Sequence, residues 1–204
     1  HEGGTLVGLH ESYRHLVSSK VRDSSGMGRF TGLRIEGKDQ GLLILAIHVP
    51  GEGSATHTRQ AERLANKQDT RTPLQRLLED LRDMLQPLET NKKLYSVVMG
   101  GDWNQTWTAQ GCNVMESVHS FAESAGLSNM MLERHGRIPW TFDGRNGKGK
   151  DKDDGPAPTA RTAIDHILVT TRIAKNPTTR SGVAQREVLN GSDHRALIID
   201  VNAE

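Results

Sequence analysis

An apolar run from Leu42 to Ile47, closed by His48-Val49-Pro50, leaves almost no polar position to face water. That predicts a strand covered on both faces, central in a sheet packed between layers. Pro50-Gly51-Glu52-Gly53 stops it, and the polar stretch from Thr56 to Thr70 reads as an exposed helix or a loop. Thr72-Pro73-Leu74-Gln75 then supplies an N-cap, a proline at the first helical position and a capping-box glutamine. Leu74, Leu77, Leu78, Leu81, Leu85 and Leu88 follow at helical spacing, opposite Glu79, Asp80, Arg82 and Asp83, so this leucine stripe is core packing. A second helix is predicted from Val114 to Ala125, turning Val118, Phe121 and Ala122 inward and ending at Gly126. Thr5–Leu9 and Phe30–Ile35 read as short strands, with Ser24–Gly28 a loop between them. Residues 143–158, rich in Gly, Lys and Asp and without periodicity, read as a surface insertion. Strands alternating with amphipathic helices define an α/β chain whose sheets are covered by helices.

The chemistry-bearing residues lie where these apolar runs end. Val97-Val98-Met99 leads through Gly100-Gly101 to Asp102-Trp103-Asn104, a carboxylate and a carboxamide two positions apart at the edge of a glycine turn. Asp165-His166 opens Ile167-Leu168-Val169, and Asp193-His194 precedes Ala196-Leu197-Ile198-Ile199. Each motif has a plain reading beside the chemical one. Gly-Gly-Asp and Asn are common turn formers, Ser192-Asp193 suits a strand-entry turn, and His48 alone suits a satisfied strand-end histidine. Trp103, Trp107 and Trp140 suit packing more than base stacking. Lys148, Lys150 and Lys152 interleave with Asp151, Asp153 and Asp154, as in a solvated loop.

Composition narrows the possibilities. A chain of 204 residues buries a good core as one domain, 1–204. With 26 basic against 25 acidic residues, any polyanion site must be local. The single cysteine, Cys112, forms no intramolecular disulfide, and no apolar stretch is long enough to cross a bilayer. A reducing, intracellular compartment, the nucleus included, is the expectation, with no membrane partner. The chain opens on His1 rather than Met, as an excised or processed segment does.

Taken in order, His48-x-Pro50, Gly101-Asp102-x-Asn104, Ile164-Asp165-His166-Ile167-Leu168 and Ser192-Asp193-His194 resemble the signature of the endonuclease/exonuclease/phosphatase superfamily, the DNase I-like group. The resemblance runs from about Gly3 to Val201. It implies two stacked mixed β-sheets flanked by helices in a four-layer sandwich, with the motifs meeting at one edge. It also implies roles. Asp102 and Asp193 hold Mg²⁺ (or Mn²⁺), a hard cation that takes one or two carboxylates and keeps several waters. Asn104 donates to a phosphoryl oxygen and orients the nucleophile. His194 sits on the scissile phosphate, with Asp165 fixing its tautomer and favouring the imidazolium. His48 is the second acid, at the leaving oxygen. Asn104, Trp140 and Arg29 are the candidate substrate contacts, and His166 is a packing residue.

One departure stands out. Members of the superfamily carry an Asn and a metal-binding Glu in a strand–helix unit ahead of the strand that resembles Gly3–Val7, and here the chain starts at that strand. The expectation is a domain lacking its first strand–helix unit, with an upstream segment or a partner chain completing the metal site. The inositol-phosphate phosphatase pattern does not fit Gln105-Thr106-Trp107 and Arg161-Thr162-Ala163. Gly28-Arg29-Phe30 leading to Leu43–Pro50 looks similar to the endonuclease domains of non-LTR retroelements, which implies nicking of DNA. The alternatives are a phosphoesterase acting on RNA ends or lipid phosphodiesters, and a catalytically inactive domain kept for nucleic-acid or protein binding.

Overall fold

The computed structural model describes residues 5–89, 94–107, 117–144, 160–184 and 194–201. A six-stranded mixed sheet forms its centre. Its strands are β1 (Val17–Arg22), β2 (Phe30–Glu36), β3 (Gln40–His48), β4 (Leu94–Asp102), β5 (Leu127–Asn129) and β8 (Asp165–Thr170), in the order β1-β2-β3-β4-β8-β5. Only β3 and β4 run parallel; the other pairs are antiparallel. Two small antiparallel ladders flank it, β6 (Phe142–Gly144) with β7 (Ala160–Thr162), and β9 (Arg180–Val183) with β10 (Leu197–Asp200).

The parallel β3–β4 pair needs a crossover, and helices α1 (Ala55–Ala65) and α2 (Pro73–Glu89) supply it. Helix α2 starts where the sequence says. Thr72 Oγ1 accepts from the Gln75 N–H at 3.2 Å, and the Thr72 N–H donates to Gln75 Oε1 at 2.7 Å. Its leucines, with Leu78 and Leu81 fully buried, pack on Leu43, Leu45, Ile47 and Met99 of the sheet. Burying each such side chain stabilises by about 1.5–3 kcal/mol. The polar stretch after Gly53 resolves as α1, capped by Ser54, whose Oγ accepts from the His57 N–H. Helix α3 (Val118–Ser124) buries Val118, Phe121 and Ala122 as expected, and Gly126 follows its end at φ +62°. Residues 114–116, where this helix was expected to start, lie outside the described residues.

Two expectations need correction. Thr5–Leu9 is not a strand: Leu6 is 88% exposed, and a strand without a neighbour to pair its backbone gains too little to form. In its place the outer edge is β1, whose Ser18-Ser19-Lys20 face water and therefore lack any apolar period for the sequence to show. The second concerns β3, whose burial alternates: Leu43, Leu45 and Ile47 are sealed under α2, whereas Leu42, Ile44 and Ala46 are only half covered. Over that second face, Leu197 and Ile199 of β10 pack near Ile167 and Val169, with α4 (Met130–His135) and α5 (Thr171–Lys175) beside them. The two stacked layers leave a cavity of about 520 Å³ walled by Leu6, Ile44, Ala46, Val98, Asp165, His194 and Ile199. Of the expected insertion, residues 143 and 144 belong to β6, and 145–158 lie outside the described residues.

Candidate active site

Three adjacent strands end in one row. His48 is the register partner of Asp102 across the parallel β3–β4 pair, and Asp102 is the partner of Asp165 across β4–β8. Opposed residues share a face, and residues two apart along a strand do too, so all three lie on the half-covered face that carries Ile44, Val98 and Ile167. Gly101 permits this approach. It holds φ +151°, and a Cβ there would lie 1.9 Å from the Ile47 carbonyl oxygen, in collision with the neighbouring strand.

His194 joins the row from the segment before β10. Its Nδ1 lies 3.1 and 3.0 Å from the two carboxylate oxygens of Asp165, and its Nε2 faces Asp102 Oδ2 at 4.0 Å. A carboxylate accepts, so Nδ1 carries the proton and Nε2 is the nitrogen that gains or loses one. The Phe142 ring packs against the imidazole, centroids 4.9 Å apart, and the two residues form a β-bridge.

Asp102 is held by its own turn. Asn104, in the left-handed region at φ +48°, donates its backbone N–H to Asp102 Oδ1 at 2.9 Å and its side-chain amide to Oδ2 at 3.0 Å. Burial pushes the Asp102 carboxyl up; the Asn104 N–H pulls it down, Asp165 adds to the rise, His194 and His48 oppose it, and the net shift is upward. A half-buried carboxylate beside a second carboxylate is short of positive charge. Its hard oxygen donors therefore fit a cation such as Mg²⁺. Among the described residues, no three His, Cys, Asp or Glu side chains are grouped to hold a metal. Asp193, the second expected ligand, lies outside the described residues.

The structure thus brings together His48, Asp102, Asn104, Asp165 and His194. It revises two of the expected substrate contacts. Arg29 is a buried structural residue: its side chain has no exposed surface, Nε bonds Asp23 at 2.9 Å, and Nη2 bonds Asp80. The Asn104 amide donates inward, to Asp102 and to the Val49 carbonyl at 2.7 Å, so it orients Asp102. Trp140 is half-buried next to the site, with the Arg195 guanidinium over its ring at 4.4 Å. Trp103 is fully buried, a core residue as the plain reading has it.

Thr141 is a site residue that sequence reasoning missed. Fully buried, its hydroxyl accepts from the Ile164 and Asp165 N–H groups at 3.2 and 3.1 Å, while its carbonyl accepts from the Arg195 N–H at 2.7 Å. It ties both halves of the Asp165–His194 pair. Its only sequence signal is its place in the short run Trp140-Thr141-Phe142, which has no polar punctuation of its own.

Layered sheets with a carboxylate–histidine row at their strand ends define the class: the chain has the DNase I-like fold of the endonuclease/exonuclease/phosphatase proteins. A 3′ phosphatase, NExo from Neisseria, solved with a product DNA hairpin, is similar at 16% identity and TM-score 0.57, over 92% of this chain and 72% of that one. The endonuclease domain of TRAS1, a telomere-specific non-LTR retrotransposon, is similar at 13% identity and TM-score 0.56, over 91% and 69%. The AP endonuclease LMAP from Leishmania major follows at 15% and 0.53, over 83% and 53%. No protein-family model and no curated protein sequence matches the chain.

Proposed function

We propose that the chain is a magnesium-dependent phosphodiester hydrolase, an endonuclease that nicks DNA. The observation that carries the reading is His194, bonded through Nδ1 to Asp165 with Nε2 turned to Asp102, at the end of the His48–Asp102–Asp165 row. The fold's likeness to a 3′ phosphatase bound to product DNA and to a retrotransposon endonuclease domain supports DNA as substrate.

Hydrolysis needs a water in line with the leaving oxygen, neutralised phosphoryl oxygens and a protonated leaving group. His194 as imidazolium donates from Nε2 to a phosphoryl oxygen, and Asp165 holds the ring and its charge. As the water's oxygen bonds to phosphorus its proton passes to the Asp102 carboxylate, the bond from phosphorus to the leaving oxygen breaks, and His48, at the far side of Asp102, protonates that oxygen, giving an alcohol and a phosphomonoester. Asn104 fixes Asp102 through two hydrogen bonds. Asp102, with Asp193, would hold Mg²⁺, which supplies charge neutralisation at the phosphoryl oxygens.

Nicking of supercoiled plasmid tests the reading, with Mg²⁺ or EDTA, for this chain, for a version extended upstream, and for His194→Ala. Mg²⁺-dependent nicking that His194→Ala removes is the expected result. Equal inactivity of both forms on DNA, RNA and small phosphodiesters overturns it in favour of a binding domain.

A further inference from the structure

His166 has a part that packing does not explain. It is fully buried on β8, directly across from Gly101, and both of its ring nitrogens are engaged. Nε2 lies 2.8 Å from the Gln105 carbonyl oxygen, and a carbonyl only accepts, so Nε2 bears the proton. Nδ1 lies 3.2 Å from the Asn129 side-chain nitrogen. Asn129 Oδ1 is committed to the N–H groups of Met131 and Leu132 as the N-cap of α4, so the atom facing the ring is its amide donor and Nδ1 must accept. The imidazole is therefore neutral and in the Nε2–H form, fixed from both sides; burial lowers its proton affinity in the same sense.

A second link closes the connection. The Trp103 indole N–H donates to the His166 carbonyl at 3.3 Å, and the Trp103 backbone N–H donates to the Ile164 carbonyl at 2.9 Å. Gln105, whose carbonyl the ring holds, accepts through Oε1 from the Val118 N–H at the start of α3. The turn from Asp102 to Gln105, in which Asn104 has a strained positive φ, is thus strapped to β8 on both sides of Asn104.

We propose that His166 is a positioning residue: its neutral imidazole is the strut that holds the Asp102–Gln105 turn in the conformation that presents Asp102 to the phosphodiester. What the turn presents rests on the phosphodiesterase reading; the strut does not.

The test uses the full chain in three forms, wild type, His166→Phe and His166→Gln. The first keeps the ring and loses both nitrogens; the second restores a donor of similar reach. Nitrogen-15 spectra of histidine-labelled wild type should show His166 neutral, protonated at Nε2, with a slowly exchanging N–H. In His166→Phe the Asn104 side-chain amide and the Trp103 indole signals should shift. Cleavage kcat should fall about 10–100-fold with KM unchanged, the usual scale for residues that orient a catalytic group. His166→Gln should recover most of both. An Nδ1–H tautomer, or unshifted Asn104 and Trp103 signals with unchanged kcat in a folded His166→Phe, overturns the proposal. Should His166→Phe fail to fold, the wild-type tautomer and His166→Gln decide. Should the wild type cleave nothing, the two signals decide alone, separating failure of the strut from failure of the nuclease reading.

Discussion

Asp165 takes His194 Nδ1 on both carboxylate oxygens, at 3.1 and 3.0 Å, while the opposite ring nitrogen is turned 4.0 Å from Asp102. One histidine is therefore suspended between two carboxylates, bonded by one and facing the other. Asp165→Asn keeps the shape and removes the charge that supports an imidazolium. Single-turnover cleavage should fall by about 10–100-fold, with the melting temperature little changed. Wild-type turnover in this variant would remove the pair from the mechanism.

Asp102 predicts an opposite effect on stability and activity. Its folded-state proton affinity is raised, chiefly by burial, so its charged form is disfavoured by the fold. The stability linked to it is present below the unfolded value of about 3.9 and is lost as pH rises through the folded value. Asp102→Asn should therefore be at least as stable as the wild type at pH 7, with the gap closing below about pH 4, while cleavage is lost. Urea midpoints at the two pH values check this, and a clearly destabilised variant at pH 7 would contradict it.

Gly101→Ala should damage both fold and site. The backbone conformation alone costs about 1–3 kcal/mol for a residue with a Cβ, and the added atom would meet the Ile47 carbonyl at 1.9 Å. The β3–β4 pair must part beside His48 and Asp102. A urea midpoint equal to the wild type would show that the strand relaxes without cost.

Arg29 predicts a stability effect where the sequence suggested a binding one. Its buried guanidinium is shared by Asp23 and Asp80; Arg29→Ala leaves the buried Asp23 carboxylate without its cation, while Asp80 keeps Arg76 at 2.6 Å, at a cost of about 3–5 kcal/mol. Burial pushes the Asp23 carboxyl up, but hydrogen bonds from Arg29 and Ser25 outweigh it and hold it well below the usual carboxylate range. The stability linked to it is present above an unfolded value of about 3.9 and is lost as pH falls below that. Unfolding followed by denaturant from pH 7 to pH 2 should show this acid loss in the wild type and a smaller one in Arg29→Ala. Arg29→Ala with unchanged stability and weaker DNA binding would return the residue to the substrate.

Much of this was written locally in the chain. The capping box at Thr72 and Gln75, the leucine stripe of α2, the glycine end of α3 and the strand-end placement of His48, Asp102, Asp165 and His194 all depend on spacing within one segment, which periodicity and turn chemistry report directly. What the tertiary structure decided depends on partners distant in sequence. Arg29 finds Asp80 on α2, the Asn104 amide finds the Val49 carbonyl, Thr141 finds Asp165 and Arg195, and His166 finds Gln105 and Asn129. The half-covered face of β3 has the same origin, since an apolar run states that a strand prefers burial and the layers around it settle how much it receives. A side chain's type sets which bonds it can make, but the register of strands far apart in sequence sets which of them it does make.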